Sequence, residues 1–440
     1  MALKYASSVV AVVITAALGW ACPARADDAP PPPLAPVVDR LFPEFKKKAA
    51  DLPPFLRDAD VILHLRTFYF NRHKPDDTDN EALATGGWLS YRSGWLFDTF
   101  SMGATFYGSA PLYAPDDRDG TLLLQPDQKG YYVPGEAWGA LRYKDYARFT
   151  GYRQKIDVGY VNSHDNRMTP NTFEAVTLGG KVGILEYFTG YLWNMKTRNS
   201  DDFVSMSVPA GVKKHHDVGG LAGIRLTPMK DLRIDLNNVY GENTFNIAYG
   251  EIDYLYPLTA DWKLRASAQF TDERAVGEAR AARTEEKYWS TQVGGARVQM
   301  IYGDLTLGAA FSITSSDNNI QSPWGGYPGY LSLMDQDFDR AGEKAVGVGA
   351  TFDFSRILTQ GLTAFTNFAW GWDAINPTTR VEQPRQAEYD LTVDYRPPWL
   401  KPTFLRGLWF RARGAVLDQE HAKQLGYQFR LTINWERDIF

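Results

Sequence analysis

Apolar side chains recur at every second position through segment after segment of this chain, and that period narrows what it can fold into more than any single residue does. In GYQFRLTINWERDIF (residues 426–440), Tyr427, Phe429, Leu431, Ile433 and Trp435 alternate with Gln428, Arg430, Thr432, Asn434 and Glu436. Side chains alternate faces along a strand, so such a segment is an apolar ribbon backed by a polar one. The same period runs through VILHLRTFYFNR, DTFSMGATFYG, WKLRASAQFT, DLTLGAAFSITSS, KAVGVGATFDF, EYDLTVDYR and GLWFRARGAV, with turn residues such as YGDL and RSGW between segments. A soluble sandwich shares the pattern, and the polar face separates the two. A sandwich strand turned to bulk water accepts Lys and Glu freely. Here that face is rich in Gly, Ser, Thr, Ala and Arg, small or cationic groups suited to a crowded lumen.

The expected fold is therefore all-β, a transmembrane antiparallel barrel with apolar residues toward lipid. Lipid leaves no water for backbone groups, so the sheet must close on itself. Aromatic residues make up 14% of the chain, and Trp88, Tyr91, Trp95, Trp370, Trp372, Tyr395, Trp399 and Trp435 near segment ends suit girdles at the two interfaces. The alternation breaks after Glu436, which predicts that RDIF is a short tail out of phase with the last strand.

Residues 1–26 read as a secretory signal peptide: Lys4, an apolar stretch from about Ala6 to Trp20, then Ala24-Arg25-Ala26 before Asp27. Its apolar run is shorter than the ~20 residues a spanning helix needs. Cys22, the only cysteine, leaves with it, so the mature chain is expected to have no internal disulfide. The formal charge of −5 becomes −7 without Lys4 and Arg25, which argues against a nucleic-acid partner. Residues 27–58 form a proline-rich arm, read as periplasmic, in which PVVDRLFPEFKKKAADL can form a short amphipathic helix. Residues 59–440 are expected to be one barrel. The six histidines are scattered, no G-x-S-x-G occurs, and no cofactor, metal or catalytic set is expected.

Five motifs then carry a resemblance. LHLRTFYFNR (63–72), DNRMTPNTF (165–173), KTRNSDD (196–202), DFDRAGEKA (337–345) and EYDLTVDY followed by GLWFRARGA (388–415) resemble, in the same order, segments of the OprD-type family of substrate-specific outer-membrane porins. The resemblance implies a barrel of about eighteen strands, monomeric or loosely trimeric, set among membrane lipid and lipopolysaccharide. It also implies an outer-membrane location in a Gram-negative bacterium and passive diffusion of small carboxylate-bearing solutes, organic anions or zwitterions. A wide barrel needs inward-folded loops to be selective, and Tyr107–Tyr132 and Ser316–Ala341 are the candidates.

The family's ladder of basic side chains maps by motif onto Arg66, Arg167, Arg411 and Arg413. Inward parity adds Arg142, Arg148 and Arg430. Forked guanidinium–carboxylate bonds would pass an anion from site to site. Alternatively these arginines pair with Asp165, Asp337, Asp339, Glu388 or Asp390 and brace the barrel. Asp337 or Asp339 opposite the ladder would admit zwitterions. The rival reading is an alginate-type polysaccharide export channel, which lacks the DNRMTPNTF and DFDRAGEKA resemblances.

Overall fold

Alternating side chains do what the period requires: they put every second residue on one face of a single sheet that closes. A computed structural model of the protein describes residues 51–213, 215–281, 288–398, 400 and 405–440. The segment expected to be a signal peptide, residues 27–50 of the expected arm, most of the helix expected there, and Trp399 lie outside the described residues.

Eighteen strands form the wall. They are β1 Asp60–His73, β2 Asp79–Arg92, β3 Phe100–Tyr113, β4 Tyr131–Tyr143, β5 Ala147–Gln154 and β6 Thr172–Val182. Next come β7 Leu185–Lys196, β8 Gly219–Met229, β9 Leu232–Gly241, β10 Phe245–Pro257, β11 Trp262–Ala275 and β12 Ser290–Tyr302. The last six are β13 Leu305–Thr314, β14 Lys344–Asp353, β15 Leu362–Trp372, β16 Gln386–Tyr395, β17 Leu408–Gln419 and β18 Gly426–Asp438. Each pairs antiparallel with its neighbours in sequence. β18 pairs with β1 from Tyr427↔His73 down to Asp438↔Ile62, which closes the barrel and leaves no free edge. A two-residue ladder at Val204–Ser205 adds to the end of β7 inside a loop. No described helix is long and apolar enough to cross a membrane.

Parity follows the sequence closely. Phe429 and Leu431 are 44% and 37% exposed on the outside, whereas Arg430 and Asn434 are 3% and 0% exposed on the inside. The expected out-of-phase tail is absent. β18 runs on to Asp438, and Ile439 N–H donates to the Val61 carbonyl at 2.6 Å while Val61 N–H donates to that of Phe440 at 3.1 Å. The pattern breaks there because Arg437 packs beside Gly407 at the rim and not against lipid.

Connections alternate in length. The rim where β1 begins and β18 ends has turns as short as 183–184, 230–231 and 303–304. The far rim carries loops 114–130, 155–171, 197–218, 276–289 and 315–343. Short turns belong to the periplasmic rim of such barrels and long loops to the outer face. The loop expected over Tyr107–Tyr132 is shorter than that, because β3 continues to Tyr113. At the terminal rim a one-turn helix, α1 (Pro54–Arg57), offers its Phe55 carbonyl to the Gly94 amide at 3.0 Å.

The largest apolar core lies inside the bore, not between layers. Ile156, Tyr160, Val161, Met206, Trp289, Ile320 and Trp324 come from the long loops and pack on inward residues of β6–β12 such as Phe173, Leu192, Val239, Phe245 and Ile247. Smaller clusters seat Leu123, Leu124 and Met168 on Phe68 and Phe70, and Leu331 and Phe338 on Ala345 and Ala369. Apolar loop surface has nowhere else to leave water, so the loops fold inward and narrow the channel.

Candidate functional site

Strand registers set the inward side chains of β16, β17, β18 and β1 in rows. From the outer rim downward, Asp390, Ala415, Gln428 and Arg72 form one row, and Thr392, Arg413, Arg430 and Phe70 the next. Below them stand Asp394, Arg411, Thr432 and Phe68, then Trp409, Asn434 and Arg66. Arg413 and Arg430 face each other directly. Like charges opposite one another on a sheet destabilise it, so this arrangement is costly.

The partners divide these arginines into two kinds. Arg66 reaches Asp165 at 2.8 Å and Asn434 Oδ1 at 2.8 Å, and Arg411 forks onto Asp394 with bonds of 2.6 and 2.7 Å. Arg72 meets Asp335 at 3.2 Å, and Arg142 pairs with Asp98. By contrast, among the described residues Arg413 donates only to Thr392 Oγ1 at 3.1 Å, and Arg430 only to the Met334 carbonyl at 2.9 Å, leaving its Nε without a partner. Arg167 donates to the carbonyls of Thr121 at 2.9 Å and Asn166 at 3.0 Å. Phe70 carries three of these cations, with Arg72, Arg167 and Arg430 lying 5.1–5.7 Å from its ring centre. The remote wall differs: Arg225 pairs with Asp235, Arg265 with Asp253, and Arg233 and Arg297 with Glu251. Among the described residues, then, the cationic excess lies on the β17–β18 wall and the loops facing it.

A further cation and a histidine complete that face, and sequence reasoning passed over both. Arg198, inside the KTRNSDD motif, donates to Asn166 Oδ1 at 2.5 Å and to His164 Nε2 at 3.0 Å, two neutral acceptors. Asp337 stands open to the lumen and attracts Arg198, although the walls around it raise its carboxyl above the usual range. Asp339 is half-buried near Tyr160 and Tyr327; desolvation first, then Asp337 and Glu343, push its carboxyl well up. Of the two acids expected at the constriction, Asp337 is exposed and Asp339 half-buried. The loops that meet here include 155–171, which the sequence expectation left out: Asn162 donates to the Gly326 carbonyl at 2.9 Å, and Tyr160 packs on Tyr327.

Burial, then the nearby Arg198, Arg167 and Arg430, push His164 down to about 3. It is therefore neutral at physiological pH. A histidine whose folded value lies below its unfolded one stabilises the native loop fully above pH ~6.5 and loses that contribution as pH falls toward 3. Carboxylate uptake is expected to show no titration step from this ring between about pH 5 and 8, the window in which an ordinary histidine would titrate. Uptake profiles of the parent and of His164→Gln should have the same shape over that range; a step near 6.5 present only in the parent would place an imidazolium in the constriction.

Lower in the bore, a cavity of about 1020 Å³ lies among β4–β10, lined in part by Trp95, Trp138, Arg142, Arg148, Lys155 and Glu251. Arg142 and Arg148 share the Trp95 face at 4.1 and 5.7 Å, and Arg148 also lies 5.3 Å over Trp138. Gly103 allows this, since a Cβ there would stand 2.5 Å from the Trp138 ring, which lies flat on the strand. Trp88 too faces inward, stacked at 3.8 Å on His64 with Arg66 over its ring. Trp88 and Trp95 are thus lumen residues and not girdle residues, because guanidinium and imidazole rings cover faces that lipid would otherwise meet. No described cluster of three or more His, Cys, Asp or Glu residues could hold a metal ion.

A family model described as "outer membrane porin, OprD family" matches residues 53–439. Solved structures similar to the chain include Pseudomonas aeruginosa OccK9 (OpdG), 22% identical with a TM-score of 0.77, covering 88% of this chain and all of that one. Pseudomonas aeruginosa OpdK with vanillate is 21% identical with a TM-score of 0.77, covering 87% of this chain and all of that one. A BenF-like porin from Pseudomonas fluorescens Pf-5 is 20% identical with a TM-score of 0.76 and the same coverage. No curated protein matches the chain.

Proposed function

The chain belongs to the OprD family of outer membrane porins, and on that premise we propose that it passes small carboxylates, zwitterionic ones included, through a constriction bordered by Arg167, Arg198, Arg413, Arg430 and Asp337. The protein is an integral channel of the Gram-negative outer membrane, so what it selects depends on what borders the bore. One observation carries the reading. Arg167, Arg198, Arg413 and Arg430 are held by carbonyls, a hydroxyl, an amide oxygen and a neutral imidazole, with no carboxylate in ion-pair reach among the described residues.

Guanidiniums keep their charge when buried, and a planar carboxylate matches their fork. The solute's carboxylate is then the missing counter-ion. Asp337 faces Arg198 and offers the ammonium group of an amino acid its own partner. Arg66, Arg72 and Arg411, already paired, keep the wall in shape and lengthen the positive field. Arg142 and Arg148, beside the lower cavity, would receive the anion on its way to the periplasm. That OpdK was solved with vanillate, an aromatic carboxylate, supports this solute class for a relative of the same fold.

The test is uptake into proteoliposomes of aliphatic and aromatic carboxylates, amino acids and neutral sugars of matched size. Two charge-assisted hydrogen bonds to the solute predict carboxylate entry on the order of tenfold faster than sugar entry. Equal rates, or ready passage of polymannuronate, would overturn the proposal.

A further inference from the structure

Asp394 of β16 neutralises Arg411, but the other two acids on the inward face of that strand, Glu388 and Asp390, are engaged elsewhere. Glu388 and Asp390 are 0% and 2% exposed, and a buried carboxylate survives only if hydrogen-bonded or paired. Glu388 Oε1 accepts the Asp335 amide at 2.7 Å, its Oε2 accepts the Gln336 amide at 2.7 Å, and Asp390 Oδ2 accepts the Met334 amide at 3.1 Å. Three successive amides of the 315–343 loop thus close on two carboxylates that are neighbours on one strand face. The basic wall completes the hold: Arg430 donates to the Met334 carbonyl at 2.9 Å, and Arg72 and Gln428 each reach Asp335 Oδ1 at 3.2 Å. Within the loop, Leu333 N–H returns to the Gln336 carbonyl at 2.8 Å, and Ser332 bonds Asp337.

We propose that Glu388 and Asp390 are positioning residues for the constriction: by gripping the amides of residues 334–336 they fix where Asp337 stands and leave Arg413 and Arg430 free for solute. This rests on the channel reading above. Asp337 follows the last gripped amide directly, so its distance from Arg198 depends on the grip. Asp390 also lies one row from Arg413 and Arg430, and its Oδ1 has no hydrogen-bond partner among the described residues. Amides and guanidiniums therefore compete for the same two carboxylates. With the loop seated, the amides hold them and the wall stays cationic. With the loop lifted, the acids turn to Arg413 and Arg430, and the bore becomes wider and less anion-selective together.

Single-channel recordings in planar bilayers separate these states, using the full chain and variants that still migrate as folded barrels. Glu388→Gln/Asp390→Asn weakens the grip and removes the competing charges. It is expected to add a second, larger conductance level while keeping the anion preference measured by reversal potential. Gln336→Pro removes one amide and leaves both acids, so it is expected to add the same level and lose anion preference. If the acids act only through their charge, the first variant shifts selectivity with no new level and the second behaves as the parent; that result overturns the proposal. A parent with no anion preference would defeat the channel reading instead, and the conductance levels would still report on the grip.

Discussion

Replacing Arg413 and Arg430 together with glutamine is expected to lower carboxylate uptake on the order of tenfold or more while leaving neutral sugar uptake unchanged, since a hydrogen bond to a charged group is worth about 1.5–3 kcal/mol. Among the described residues neither guanidinium is spent on a carboxylate, and Arg430 Nε has no hydrogen-bond partner. Arg411→Gln is the informative comparison. Its fork is already filled by Asp394, so it has little left to offer a passing carboxylate. All three arginines sit within two successive rows of the same wall, so a long-range field effect would treat them alike. Direct binding would not. Proteoliposome uptake with benzoate-sized carboxylates and matched sugars reads the difference, and equal losses for Arg411→Gln and the double variant would sink the assignment.

Inward parity could be read directly from the chain because a pleated strand has no other option: Arg66, Arg413 and Arg430 face the bore, as their places in the alternation require. Partnership could not be read, because it depends on register between strands and on loops far away in sequence. Arg411 and Arg413 look equivalent in GLWFRARGA, yet the β16–β17 register sets Asp394 opposite one and Thr392 opposite the other. Arg66 is neutralised by Asp165, ninety-nine positions away on a folded-in loop. Glu388 and Asp390 read as possible ion-pair partners, and their use as acceptors for loop amides depends on a loop path that periodicity does not encode. Arg198 was within reach, since it lies in a motif already singled out; nothing in KTRNSDD marks it as facing the lumen. Trp88 and Trp95 misled for a related reason, because a tryptophan near a strand end satisfies a lipid interface or a guanidinium equally well.

Trp324→Ala is expected to open the constriction without unfolding the wall. The indole is fully buried inside the bore, 5.1 Å from the Phe245 ring, and its Nε1 donates to the Met206 carbonyl at 2.8 Å. Its own carbonyl accepts the Asn162 amide at 3.2 Å, so one residue ties three loops together. Truncating a buried tryptophan costs about 3–5 kcal/mol, a large share of what holds a loop whose ends are fixed but whose middle depends on packing. The loop's other anchors are the Gln321 amide on Glu273 at 2.8 Å, the two bonds between Asn162 and Gly326 at 2.7 and 2.9 Å, Tyr330 on Glu251 at 3.0 Å and the grip on residues 334–336. Trp324 is the most deeply buried side chain of residues 322–331, so that segment is the one expected to loosen first. The strand ladder uses none of these contacts, so the variant should still migrate as a folded barrel. Single-channel conductance should rise, and protease added to the outer face should cut within 322–331. Trp324→Phe, which keeps most of the apolar contact and loses the hydrogen bond, should fall between the variant and the parent. Unchanged conductance and an uncut loop in Trp324→Ala would mean that the constriction is held by its polar anchors alone.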